Sequence, residues 1–118
     1  MTLTNITKNK TVIERTRIAV GFFSQLRGLM FEKKKNFDYA LVFPLHMEGR
    51  FSASIHCLFV FFPIDVVFLD REKKVVDIKK SLMPFTPFCI PSKPAKYFVE
   101  LPAGKSNGVE IGDQLEWK

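Results

Sequence analysis

One acid, Asp65, stands inside the long apolar run from Ile55 to Leu69, where an unpaired carboxylate would cost several kcal/mol. The position predicts a partner: a guanidinium gripping the carboxylate with two hydrogen bonds, or backbone N–H groups at the bend made by Pro63. Contact with a ligand is the second reading for Asp65, and general-base chemistry the third. Glu100 is the other acid that invites chemistry. With Asp65 it could form the carboxylate pair of a glycoside hydrolase, which needs a separation of about 5–9 Å. It also stands just ahead of Pro102 and Gly104, and satisfying backbone N–H groups of the following turn is the expected task.

His46, His56, Cys57 and Cys89 raise the question of zinc. Consecutive residues of a strand leave on opposite faces, so His56 and Cys57 cannot share one tetrahedral ion, and no metal or other cofactor is expected. His56 is read as a core or rim histidine, with ligand contact as the alternative. No Gly-x-Ser-x-Gly, glycine-rich phosphate loop or cysteine at an electropositive strand-to-helix turn is present, so no catalytic residue is assigned and an enzyme is the least supported class.

Strands must position these residues. Thr11 to Val20 is rich in Thr, Val and Ile and reads as a strand. From Gly21 the apolar spacing becomes helical through Phe22, Leu26 and Leu29, predicting one short helix over residues 21–29. Lys33 to Asn36 is a charged loop. Further strands are expected over Asp38 to Pro44, Ser54 to Phe62, Ile64 to Leu69, Lys74 to Lys80, Ala95 to Leu101 and Gln114 to Trp117, with a turn at Met47 to Phe51. Residues 83–94 hold Pro84, Pro87, Pro91 and Pro94 among Phe85, Phe88, Cys89 and Ile90, which forbids regular structure and predicts a proline-rich apolar loop. Phe85 and Phe88 either plug one end of the core or form a lid or contact patch.

The sum is a mainly β (α+β) fold: one compact antiparallel barrel-like or sandwich domain of 118 residues, its first ten residues a flexible segment. Thirteen phenylalanines suit an interior that must be filled.

Arg27-Gly28-Leu29-Met30-Phe31, Pro63 through Asp70, Glu100-Leu101-Pro102-Ala103-Gly104 and Gly112-Asp113, in that order, resemble the DUF192 (UPF0127) family over residues 11–117. The resemblance implies a compact, mostly β, barrel-like domain with a short helix near its start, and no established activity. Because the motifs of Arg27 and Asp65 occur together in that family, Arg27 is the expected partner of Asp65. Where many relatives resemble Phe-Trp-Met-Lys-Asn-Thr, this chain reads Ile55-His56-Cys57-Leu58-Phe59-Val60. The turn at Arg71 to Lys73 lacks the glycine often found there, and Lys105 to Ile111 is shorter than usual, so its helix is expected to shrink to a turn.

A net charge of +6 biases the protein toward anionic partners. The basic residues are scattered in pairs and triplets, and no zinc-finger, KH or RNP1-like pattern accompanies them, so nucleic acid is not the expected partner. Two cysteines and a polar start fit a cytoplasmic protein without a membrane span, and a monomer is expected. The favoured reading is a small ligand-binding module for an anionic or sugar-like molecule, its mouth rimmed by Arg27, His56, Asp65, Lys93, Phe85 and Phe88, with Arg27, Asp65 and Glu100 as structural polar residues. The alternative is an interaction or scaffold protein using the proline-rich loop and the basic surface. Last comes an acid/base enzyme using Asp65 or Glu100.

Overall fold

Strands form where β-branched and aromatic residues concentrate. The computed structural model describes residues 1–19, 33–49, 61–85 and 89–118, and the strands in them are β1 (Leu3–Asn5), β2 (Lys10–Ile13), β3 (Thr16–Ile18), β4 (Ala40–Gly49), β5 (Ile64–Leu69), β6 (Val75–Leu82), β7 (Ala95–Pro102) and β8 (Leu115–Trp117). They make a three-stranded sheet in the order β2-β1-β8 and a five-stranded sheet in the order β3-β4-β7-β5-β6. The fold is mainly β, as expected, but both sheets are open and no barrel closes among the described residues. Nor is it wholly antiparallel, because β3 and β4 pair in parallel.

Side chains alternate across the larger sheet and divide the core in two. Ala40, Val42, Val67, Leu69, Val99 and Leu101 point to one face, where Leu3, Ile13 and Leu115 of the small sheet cover them. Leu41, Phe43, Ile64, Val66, Phe68 and Phe98 point to the other, against Ala19, Phe37, Tyr39, Phe62 and Cys89. Every residue of β5 is buried, which fits a strand apolar on both faces and flanked by β6 and β7.

The first ten residues, expected to be flexible, instead supply β1, the inner strand of the small sheet, with Leu3 fully buried. Thr2 and Lys118 exchange backbone hydrogen bonds beside it, at 2.6 and 3.2 Å. The single strand expected over Thr11 to Val20 is broken at Glu14 and Arg15, so that β2 joins one sheet and β3 the other. β4 runs on through the expected turn to Gly49, at the cost of an irregular register between Pro44 and Gly49, since proline cannot donate to the ladder. The residues from Lys105 to Gly108 form turns, in line with the shortened segment. The expected helix at 21–29 and strand at 54–62 lie outside the described residues, apart from Phe61 and Phe62. Among the described residues no helix is long and apolar enough to cross a membrane.

Asn5 joins the ends of the small sheet. Its Nδ2 donates to Asp113 Oδ2 at 2.8 Å and to the Gly108 carbonyl at 3.1 Å, while its Oδ1 accepts from the Lys8 N–H. Asn5→Ala strands the buried side of Asp113 without that donor, and urea melts should show a loss of about 1–3 kcal/mol; a melt that overlays the native one would disprove the tie.

Candidate functional site

The site begins with Asp65, because its carboxylate decides how a neighbouring turn is held. It projects from β5 on the face shared with Val67 and Leu69, and is 1% exposed. Oδ1 accepts the Ser81 N–H at 2.9 Å, and Oδ2 accepts the Gly104 N–H at 3.0 Å, the Ser106 N–H at 3.1 Å and the Ser106 hydroxyl at 2.6 Å. Two of these donors come from backbone turned into the left-handed region, Ser81 at φ 51° and Gly104 at φ 93°. Glycine adopts that conformation freely; serine does so at a cost. Asp65 is therefore satisfied by neutral donors from β6 and from the turn after β7, rather than by the bend at Pro63 or by a cation among the described residues.

That clamp fixes the turn Pro102 to Ser106 at the lip of two adjoining recesses. The larger, about 500 Å³, lies between β2 and the turn, with Val12, Ile13, Phe37 and Pro102 as apolar walls and Glu14, Arg15, Asp38 and Lys105 at its edge. The smaller, about 180 Å³, shares Phe37 and Pro102 and adds Lys34, Phe62, Pro63 and Ala103. The Arg15 guanidinium is bound by both oxygens of Asp38 at 2.7 Å. Lys34 and Lys105 are exposed, and neither is in an ion pair among the described residues.

Glu100 occupies the opposite face of the larger sheet. The register sets Arg17, Leu41, Glu100, Val66 and Lys79 in one row across its five strands. Glu100 is 4% exposed, its Oε1 has no hydrogen-bond partner among the described residues, and burial pushes its carboxyl up to about 8. The cations at the ends of the row are engaged elsewhere: Arg17 lies 4.8 Å from the Tyr39 ring centre, and Lys79 is 3.3 Å from Asp77. Burial pushes the Asp77 carboxyl up, but the Ser92 N–H and Lys79 outweigh it and hold the group below its ordinary value. Burial also pushes the Cys89 thiol up, the opposite of what a nucleophilic thiolate requires.

Two expectations are corrected here. Glu100 does not bind the turn that follows it; Asp65 does. Nor do the two acids face each other across a cleft, because Asp65 pairs in register with Leu101, the neighbour of Glu100, and the carboxyls leave opposite faces. Arg27, His56 and Phe88 lie outside the described residues. Lys93 and Phe85 are exposed, yet neither lines either recess. Phe85, at φ 62°, packs edge-on against Phe61 with ring centres 5.2 Å apart. Among the described residues no cluster of three or more His, Cys, Asp or Glu comes together to hold a metal. Sequence reasoning missed Lys34, Phe37 and Lys105. The one available pointer was that Lys105 follows the glycine of the Glu100-to-Gly104 motif, where an exposed turn begins.

Residues 3–117 match the DUF192 family, described as an uncharacterised ACR. A UPF0127 protein of Pyrococcus furiosus is 44% identical over 115 residues, covering 96% of this chain and 95% of that protein. A UPF0127 protein of Thermococcus sibiricus is 44% identical over 118 residues, covering 98% of this chain and 74% of the relative. Among solved structures, a protein of unknown function from Novosphingobium aromaticivorans superposes with a TM-score of 0.82 at 20% identity, covering 98% of this chain and 82% of that one. The shared property at that identity is the fold.

Proposed function

We propose that this chain, which belongs to the DUF192 family, is a small-molecule binding module whose ligand is an anion seated in the recesses around Phe37 and Pro102. The observation that carries this reading is the joining of an apolar floor to lysines that have no ionic partner among the described residues, one of them on a turn clamped from beneath by a buried carboxylate. A turn held by that many bonds loses little freedom when a ligand arrives, so more of the contact energy appears as affinity. The larger recess falls within the range of roughly 300–1,000 Å³ typical of ligand pockets. A net charge of +6 steers anions toward the surface. The fitting class is a small carboxylate, phosphate or acidic sugar whose ring or chain lies on Phe37 and Pro102.

A second reading, an interaction surface, is favoured by one observation: Phe61, Met83 and Phe85 are all exposed.

Thermal-shift titration with sugar phosphates and short carboxylates at low ionic strength tests the first reading. A ligand at 100 times its Kd adds about 2.7 kcal/mol to stability. Lys105→Ala should leave the unliganded melt unchanged and weaken binding about tenfold, the loss of one charge-assisted hydrogen bond. No shift with any anion, or an affinity unchanged from the native protein in both Lys105→Ala and Lys34→Ala, would end the proposal.

A further inference from the structure

We propose that Asn107 is a site of spontaneous covalent modification: the main-chain nitrogen of Gly108 attacks the Asn107 side-chain amide, and the isoaspartate that results unfastens the carbonyl that Asn5 holds.

The attack needs an amide side chain, a following residue that does not shield its own nitrogen, an N–H free of hydrogen bonds, and room to move. Asn5, Asn9 and Asn36 are followed by Ile6, Lys10 and Phe37, whose side chains crowd the nitrogen; Asn107 is followed by glycine. Asn107 and Gly108 are both exposed, at the tip of the turn that the Val109 N–H closes on the Ser106 carbonyl at 2.9 Å. Neither the Asn107 side chain nor the Gly108 N–H makes a hydrogen bond among the described residues. A Cβ placed on Gly108 would meet nothing within 4 Å, and its φ lies outside the left-handed region. Nothing in the fold therefore requires a glycine here, although the reaction does.

The step balances with water as its only co-reactant. The Gly108 nitrogen gives up its proton and bonds to Asn107 Cγ, the Cγ–Nδ2 bond breaks, and ammonia leaves with that proton. A cyclic imide remains. Water opens it at Cγ to give aspartate, or at the main-chain carbonyl to give isoaspartate, whose backbone runs through Cβ and Cγ.

Isoaspartate lengthens the main chain by one carbon, about 1.5 Å. The turn has no slack to absorb this, because Ser106 and Val109 on either side are buried and Asp65 holds both the N–H and the hydroxyl of Ser106. The Gly108 carbonyl, which accepts from Asn5 Nδ2 at 3.1 Å and from Lys8 Nζ at 3.5 Å, is carried out of hydrogen-bond reach. Asn5 belongs to β1, the inner strand of the small sheet, so the modification loosens that sheet where it meets the turn. The new carboxylate also removes one unit from the net charge of +6.

Peptide mapping of the protein held at pH 8 reads the conversion, with the urea-unfolded chain held alongside to set the interval. The tryptic peptide of residues 106–118, in which Asn107 is the only asparagine, should split into asparagine, aspartate and isoaspartate forms. An isoaspartate-specific methyltransferase with labelled S-adenosylmethionine identifies the last. Gly108→Ala should melt with the native protein and lose the new forms. The urea midpoint of the native protein should fall with conversion, and that of Asn5→Ala should fall much less, since its tie is already gone. Asn107 left intact in the folded protein after the unfolded chain has converted, or equal conversion in Gly108→Ala, overturns the site. Conversion that leaves the midpoint unchanged, or lowers it equally in Asn5→Ala, overturns the release of Asn5.

Discussion

Glu100→Gln will stabilise the protein by about 3 kcal/mol at pH 7 and leave it almost unchanged at pH 4. The unfolded chain titrates this group near 4.5, while burial raises the folded value to about 8. Between those values the folded state holds a proton that the unfolded state has given up. Stability therefore falls as pH rises through the window, by about 1.4 kcal/mol per pH unit, and is unaffected by this group below it. Glutamine has nearly the same shape and no proton to lose, so the slope should disappear. The effect is large against the roughly 5–15 kcal/mol that holds a domain together. Urea denaturation of both proteins at half-unit steps from pH 4 to pH 8.5 provides the comparison. Profiles that run parallel across this range would show that Glu100 is ionised in the native protein and paired.

The second expected result is a loss of about 3–5 kcal/mol on replacing Asp65 with alanine. The carboxylate accepts from Ser81, Gly104 and both donors of Ser106. Removal leaves these groups unsatisfied, at about 1–3 kcal/mol each where water cannot replace the acceptor. Ser106 is fully buried and cannot recover its partners that way. Asp65→Asn should fall between, because an amide keeps one acceptor oxygen but turns an NH2 toward donors at the other position. In the same variants Lys105 loses its fixed position, so anion binding should weaken even at temperatures where the protein is folded. Urea midpoints decide the matter: Asp65→Ala within about 0.5 kcal/mol of native would show that the turn is held by other means.

Asp65 was legible because an acid inside an apolar run must be neutralised or hydrogen-bonded, whatever the fold. The identity of its partners was not, since Ser81, Gly104 and Ser106 reach it from up to 41 residues away and carry no charge to announce themselves. Glu100 illustrates the opposite case. Its neighbour Pro102 suggested a turn-binding role, and only the strand register, which sets the outward direction of every side chain, revealed that it points away from that turn. The alternation in Ile64 to Leu69 and Ala95 to Leu101 was strong enough to identify β5 and β7. Leu3 to Asn5 was not, because a three-residue strand has too few side chains to show a period. The recess residues Lys34 and Phe37 share one short 3-10 turn while Lys105 lies on the turn after β7, and no pattern along the chain brings those two turns together.

β1 lies between β2 and β8, and its outer pairing is with residues 115–117. During synthesis β1 must therefore wait for β8, which lies far behind it in the chain. Until β8 emerges, Leu3 and the inner apolar face of the large sheet have no finished cover, so the growing polypeptide carries an open greasy surface until residues 115–117 are made. Closing that gap needs a pairing of high sequence separation, the kind of contact that slows folding. It also makes the interval before closure the period in which chaperone capture or aggregation competes with the native state.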